Sequence, residues 1–209
     1  MGSDHMASSV LKVSDLACRR GGRPVFAGLS FSLAAGELLA LTGRNGSGKT
    51  TLLRALALLV PLDAGDIAWQ GSDVADDADR WRAQIAWLGH LDGLKGDLTV
   101  AENLAVANRL RGIDGDTNAA LIALDLVPLA ARAVRTLSAG QRRRAALARV
   151  VAAQAPLWLL DEPLNALDTP SQKLLHAALD AHLASGGLAI AATHAPLKVA
   201  GAQVLEMPG

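Results

Sequence analysis

The 209-residue chain balances 20 Lys and Arg against 20 Asp and Glu, and 51% of its residues are apolar. So apolar a chain can bury a full core, which excludes intrinsic disorder. Its zero net charge carries neither the basic excess of a general nucleic-acid binder nor the acidic excess of a solvating tail. The one cysteine, Cys18, excludes an internal disulfide and a Cys-rich zinc site, and suits a reducing compartment.

Met1-Gly2-Ser3-Asp4-His5-Met6 is polar and leads into no apolar stretch, so it reads as an expression-tag remnant and not a signal peptide. One domain is expected over 7–209, with its core in 7–79 and 137–209 and a helical lobe inserted over about 80–136. Residues 10–17 and 29–33 alternate apolar and polar on either side of the Arg20-Gly21-Gly22-Arg23-Pro24 turn and predict two strands. Residues 38–42 are a short apolar run ending at Gly43, the pattern of a fully buried strand. From Lys49 the period becomes helical, with Leu52, Leu53, Leu56 and Leu59 in phase until Pro61. Arg54 interrupts this longest apolar stretch, which falls well short of the roughly 18 residues a bilayer span needs. The turn Asp63-Ala64-Gly65-Asp66 then leads to a strand over 67–70.

Residues 80–136 read as mostly helical. Thr99 and Glu102 form a capping box for a helix running toward Gly112, and 117–126 is a second helix. A helix over 139–154, a strand over 157–160, a helix over 171–185 and a strand over 188–192 follow. Strand–helix alternation of this kind implies an α/β domain with a parallel sheet covered by helices.

Gly43-Arg44-Asn45-Gly46-Ser47-Gly48-Lys49-Thr50 fits G-x-x-x-x-G-K-[ST] and stands between the buried strand and a helix, the setting a P-loop requires. Glycines at 43, 46 and 48 let the backbone curl until successive N–H groups point at phosphate oxygens, and the helix N-terminus adds its dipole. Lys49 reaches the β- and γ-phosphates as a flexible cation, and the Thr50 hydroxyl is suited to Mg²⁺. With Thr51, residues 43 to 51 are the expected nucleotide-binding set. The apolar strand Leu157-Trp158-Leu159-Leu160 delivers Asp161 and Glu162 at its carboxyl end, where open α/β sheets place their ligands. Asp161 suits a metal-bound water, and Glu162 suits orienting and deprotonating an attacking water.

Leu137-Ser138-Ala139-Gly140-Gln141 begins the helix over 139–154. By itself it is a well-capped start, with Ser138 as N-cap, Gln141 at the capping-box position, and Arg142, Arg143 and Arg144 as a solvated basic edge. The pentapeptide also resembles the signature motif of the ABC-type ATPases, and it lies in that family's order between the P-loop and the acidic pair. Asn165-Ala166-Leu167-Asp168 resembles the family's D-loop, and Thr193-His194 its switch histidine. The likeness extends from about Val10 onward. It implies the P-loop NTPase fold of ABC ATPases, a parallel-sheet core with an antiparallel β lobe and an inserted helical subdomain, with ATP and Mg²⁺ as cofactors. It also implies a second copy of the chain as partner, paired head-to-tail so that Leu137, Ser138, Ala139, Gly140 and Gln141 face the partner's ATP. Thr50 and Asp161 would then hold the metal, Asp168 would be the D-loop aspartate, and Glu162, His194 and His90 would serve catalysis.

Two positions depart from the general family. His90 stands where most members carry a glutamine, and Arg19 or Arg20 stands where an aromatic stacks on adenine. A guanidinium plane can stack on a purine too. Leu88-Gly89-His90, the following Leu91-Asp92-Gly93-Leu94-Lys95, Trp69-Gln70-Gly71 and the tail Ala192-Thr193-His194-Ala195-Pro196-Leu197 are similar to the ATP-binding subunits of bacterial cytochrome c maturation, or haem exporter, systems. That likeness implies integral-membrane partners, a peripheral place on the cytoplasmic face of the bacterial inner membrane, and ATP hydrolysis coupled to haem export or release of a haem-loaded chaperone. Leu91, Leu94 and Leu98 are either a face for such a partner or packing for the chain's own helices. Nucleic acid is not expected as a partner, because the charge is balanced and no sustained heptads separate the P-loop from the signature. The alternatives are the ATPase subunit of a different ABC transporter, a soluble non-transport ABC ATPase, and a non-catalytic assembly subunit.

Overall fold

The chain runs β1 (Leu11–Arg20), β2 (Arg23–Leu33), β3 (Leu38–Thr42), α1 (Lys49–Leu56), β4 (Ala64–Trp69), β5 (Ser72–Asp73), α2 (Ala78–Ala83) and β6 (Ile85–Leu88). It continues through α3 (Val100–Leu110), α4 (Thr117–Ala123), α5 (Ala139–Ala152), β7 (Leu157–Asp161), α6 (Thr169–Ala184), β8 (Leu188–Ala192) and β9 (Gln203–Glu206). This computed structural model describes residues 10–113 and 117–207, so the tag reading of residues 1–6 lies outside the described residues.

Two sheets carry the domain. The first is antiparallel, in the order β2-β1-β4-β5, and the second is parallel, in the order β6-β7-β8-β3-β9. Side chains of the parallel sheet alternate between two cores, as a period of two requires. Leu39, Leu41, Leu157, Leu159, Leu188 and Ile190 pack with α1 and the antiparallel sheet. Leu38, Ala40, Trp158, Leu160, Ala189 and Ala191 pack with α3, α4, α5 and α6. Burial on both faces explains why these strands are continuously apolar. Small residues on that second face, and Ala145, Ala146 and Ala148 opposite, let α5 approach the sheet closely. Each fully buried leucine, such as Leu41, Leu53 or Leu159, contributes about 1.5–3 kcal/mol.

The antiparallel strands run longer than their alternation predicts. Gly21 and Gly22, both at positive φ (58° and 78°), close a two-residue hairpin, so β1 extends to Arg20 and β2 begins at Arg23. Register shifts around Asp15, itself at φ 49°, place Leu11, Val13, Leu16 and Cys18 in the core and break the simple period. One expectation needs correction. Within the stretch read as mostly helical, Ile85–Leu88 is β6, which pairs in parallel with β7 at the sheet edge. Four residues are too few to display a period. β9 was not foreseen either, being short and largely exposed beside β3. α1 stops at Leu56, before Pro61, because Leu58 turns left-handed at φ 52°.

Candidate functional site

β3 ends at Thr42, and its carboxyl end feeds the loop from Gly43 into α1. Gly43 and Gly48 have φ values of 128° and 96°, and a Cβ at Gly48 would lie 2.7 Å from Val25 Cγ1. Glycine is required there by both conformation and space. Gly48 is the N-cap of α1 and no side chain caps it, which leaves the first-turn N–H groups for an anion. The Ser47 hydroxyl is buried without a hydrogen-bond partner, a donor suited to a phosphate oxygen. Lys49, also buried, has its Nζ inside the loop, donating to the carbonyls of Gly43 (2.8 Å) and Arg44 (3.0 Å).

β7 is two strands from β3 and ends at the same edge of the sheet. Asp161, its last residue, is 3% exposed, and both carboxylate oxygens lie 3.0 Å from Thr50 Oγ1, which donates to them. A hydroxyl and a carboxylate are hard oxygen donors, so this pair fits a divalent cation such as Mg²⁺. Glu162 follows at φ 49°, with its amide donating to the Ala192 carbonyl (2.9 Å). In that conformation its Oε1 meets His194 Nε2 at 3.2 Å. His194 arrives two residues after β8, which adjoins β7 in the sheet. Thr193 fixes the turn that carries it, its hydroxyl donating to the Ala195 carbonyl and accepting from the Ala195 amide.

These groups surround one cleft of about 790 Å³, lined by Asn45, Gly46, Gly48, Lys49, Thr50, Thr51, His90, Asp161, Glu162 and His194, with Arg20, Val25, Arg54 and Asn165 beside them. Three cations, Arg20, Lys49 and Arg54, and two carboxylates, Asp161 and Glu162, line this cleft. Of Arg19 and Arg20, it is Arg20 that lines this cleft. His90 lies in this cleft and also borders a smaller cavity of about 210 Å³ with Ala139, Arg142 and Asn165.

The signature residues are elsewhere. Leu137, Ser138, Ala139, Gly140 and Gln141 are all described, and none lines the P-loop cleft. Ser138 Oγ accepts from the Gln141 amide (3.2 Å), Gln141 Oε1 accepts from the Ser138 amide (3.0 Å), and α5 begins there. Asp168 also lies away from the cleft: it N-caps α6, accepting from the Ser171 amide (2.9 Å), and hydrogen bonding to the Ser171 side chain and backbone lowers its carboxyl pKa. Leu91 is 83% exposed, whereas Leu94 packs against the chain's own helical core. The basic edge also needs correction, because Arg143 is 4% exposed. Its helical phase with Leu147 and Val150, both buried, was the available signal.

Comparison with known proteins agrees with this geometry. The profile of the ABC transporter family matches residues 26–165. The "Cytochrome c biogenesis ATP-binding export protein CcmA" of Dechloromonas aromatica (strain RCB) is 44% identical over 201 residues, 95% of this chain and 98% of its own length. The protein of the same name from Paramagnetospirillum magneticum is 46% identical over 97% of this chain and 95% of its own length. Among solved structures, an ATP-binding subunit of an ABC transporter superposes with a TM-score of 0.81 at 24% identity, covering 89% of this chain and 80% of that one. At that identity the likeness speaks for the fold alone.

Proposed function

The chain belongs to the ABC transporter family, and from that premise we propose that it is the ATP-hydrolysing subunit of a cytochrome c biogenesis export complex. One observation carries the hydrolytic reading: Glu162 and His194 are in contact at the end of the cleft that holds the P-loop, Lys49, Thr50 and Asp161. The export role follows the printed names of relatives that match nearly the whole chain.

In this reading the P-loop amides, the Ser47 hydroxyl and Lys49 bind the β- and γ-phosphates of ATP. Mg²⁺ held by Thr50 and Asp161 would neutralise charge on the phosphate oxygens. Glu162 orients a water and takes its proton as the water oxygen bonds to the γ-phosphorus. The bond from that phosphorus to the bridging oxygen breaks, and ADP leaves with the electron pair. His194 fixes the Glu162 carboxylate through its N–H and faces the γ-phosphate. His90 completes the wall on the side of the helical lobe.

A single chain keeps its signature outside its own cleft. A head-to-tail pair of copies would bring Ser138 and the amides of Ala139 and Gly140 onto the γ-phosphate held by the other copy. Among the described residues no helix is long and apolar enough to cross a membrane. In this reading, the export named for the relatives runs through integral-membrane partners. The subunit would then sit peripherally on the cytoplasmic face of the inner membrane. Exposed Leu91, with Gly93 beside it, offers those partners an apolar contact.

The test is to isolate tagged Glu162→Gln protein with Mg-ATP from gently solubilised native membranes and identify what accompanies it. Haem-handling integral-membrane subunits are the expected companions. A different permease would contradict the cytochrome c assignment and leave the ATPase mechanism standing.

A further inference from the structure

Arg143 lies inside the protein, and its guanidinium is occupied by two other segments. Nη2 donates to the carbonyls of Asp161 (2.7 Å) and Glu162 (2.6 Å). Nη1 donates to the Gly89 carbonyl (2.9 Å) and to Asp92 Oδ1 (3.3 Å). A buried guanidinium is costly unless its donors are met; here Nη1 and Nη2 meet acceptors on two segments, while the buried Nε has no hydrogen-bond partner. Glu162 is a non-glycine residue in the left-handed region, a conformation that persists only where its surroundings hold it. They hold it from both ends, Ala192 accepting from its amide and Arg143 donating to its carbonyl. The far side of the clamp is the loop bearing His90. Arg149, six residues further along α5, donates to the Gly93 carbonyl (2.8 Å), so α5 fastens that loop at Gly89, Asp92 and Gly93.

We propose that Arg143 is a positioning residue for ATP hydrolysis, its guanidinium tying the Glu162 peptide to the 89–93 loop so that movement of the loop re-aims the Glu162 carboxylate. The inference rests on Glu162 as the proton acceptor of the preceding reading. Leu91, exposed at the tip of the same loop, gives a docked partner purchase on the clamp. On the loop, the Gly89 carbonyl and the Asp92 carboxylate are the acceptors through which that movement reaches the guanidinium.

The test measures steady-state Mg-ATP hydrolysis of the purified full chain, ATP affinity by titration with a fluorescent analogue, and thermal unfolding. Arg143→Gln is expected to lower kcat at least about tenfold with ATP affinity within about twofold, and Arg143→Lys to restore part of that loss. Asp92→Ala, a change at a partly exposed loop position that removes the side-chain acceptor, is expected to lower kcat about two- to threefold without changing affinity. A purely structural role would lower the melting temperature and leave turnover per folded molecule unchanged. That result, or a parallel loss of affinity and kcat, overturns the proposal. If Arg143→Gln does not fold, Asp92→Ala decides, and an unchanged kcat there overturns the link through Asp92. Glu162→Gln assayed alongside separates the two levels. Turnover persisting in it would overturn the proton-acceptor reading and Arg143's route with it. Its loss beside normal turnover in Arg143→Gln would overturn the clamp alone.

Discussion

At the scale of single residues, the site is a set of groups whose neighbours set their behaviour. Lys49→Ala removes the buried cation of the P-loop, so it is expected to weaken ATP binding by at least about tenfold in a nucleotide titration. His182 gives a pH prediction away from the cleft. Its ring stacks on Trp158 at 4.0 Å, and Nε2–H donates to the Leu188 carbonyl (3.0 Å). Burial pushes its pKa below the ordinary 6.5, while the carbonyls of Leu188 and Pro156 oppose that shift with less effect. The unfolded chain therefore binds the proton more readily than the folded one. The stability contributed by the neutral ring is complete above about pH 6.5 and is lost as pH falls toward the lowered folded value. His182→Asn should flatten the decline of melting temperature between neutral and acid pH, and an unaltered decline would contradict this account. The P-loop was legible in sequence because its chemistry is contiguous. The burial of Arg143 is signalled by its helical phase, but its partners are not, because its acceptors lie 18 and 54 residues away.

At the scale of elements, caps and close approaches fix where each piece begins. Thr99 and Glu102 make the reciprocal bonds of a capping box at the start of α3, as the sequence predicts. Thr99→Ala should cost about 1 kcal/mol, which lowers the melting temperature by roughly 2–4 °C in a domain of this size. Such a change leaves the cleft untouched, so ATP affinity should not move. Gly48→Ala is the contrasting case: the methyl meets Val25 and the φ is left-handed. Both binding and stability should fall in that variant, and a melt together with a nucleotide titration reads both. The capped helices α3, α5 and α6 were placed from sequence to within a few residues, whereas the short α2, capped by Asp77, was not. The strands were placed less well. Bulges at Asp15 shift the period of β1, and four residues of β6 are too short to show one.

At the scale of the whole molecule, the arrangement divides one reaction between two surfaces. The parallel sheet gathers the P-loop, Asp161, Glu162 and His194 at one edge, and α5 presents its signature outside that cleft. Strand–helix alternation announced the sheet. The proposed division of the site between copies rests on the family resemblance, since no property of a single chain's sequence encodes its symmetry partner. The most direct test of the split site mixes two inactive variants. Lys49→Ala disables the P-loop and keeps the signature, while Ser138→Arg blocks the signature and keeps the P-loop. Each alone should lack Mg-ATP hydrolysis. Mixed in equal amounts they should recover up to about a quarter of the parent rate, because half the pairs are mixed and each holds one intact composite site. No recovery, with both proteins folded and Ser138→Arg still binding ATP, would contradict hydrolysis shared between two copies.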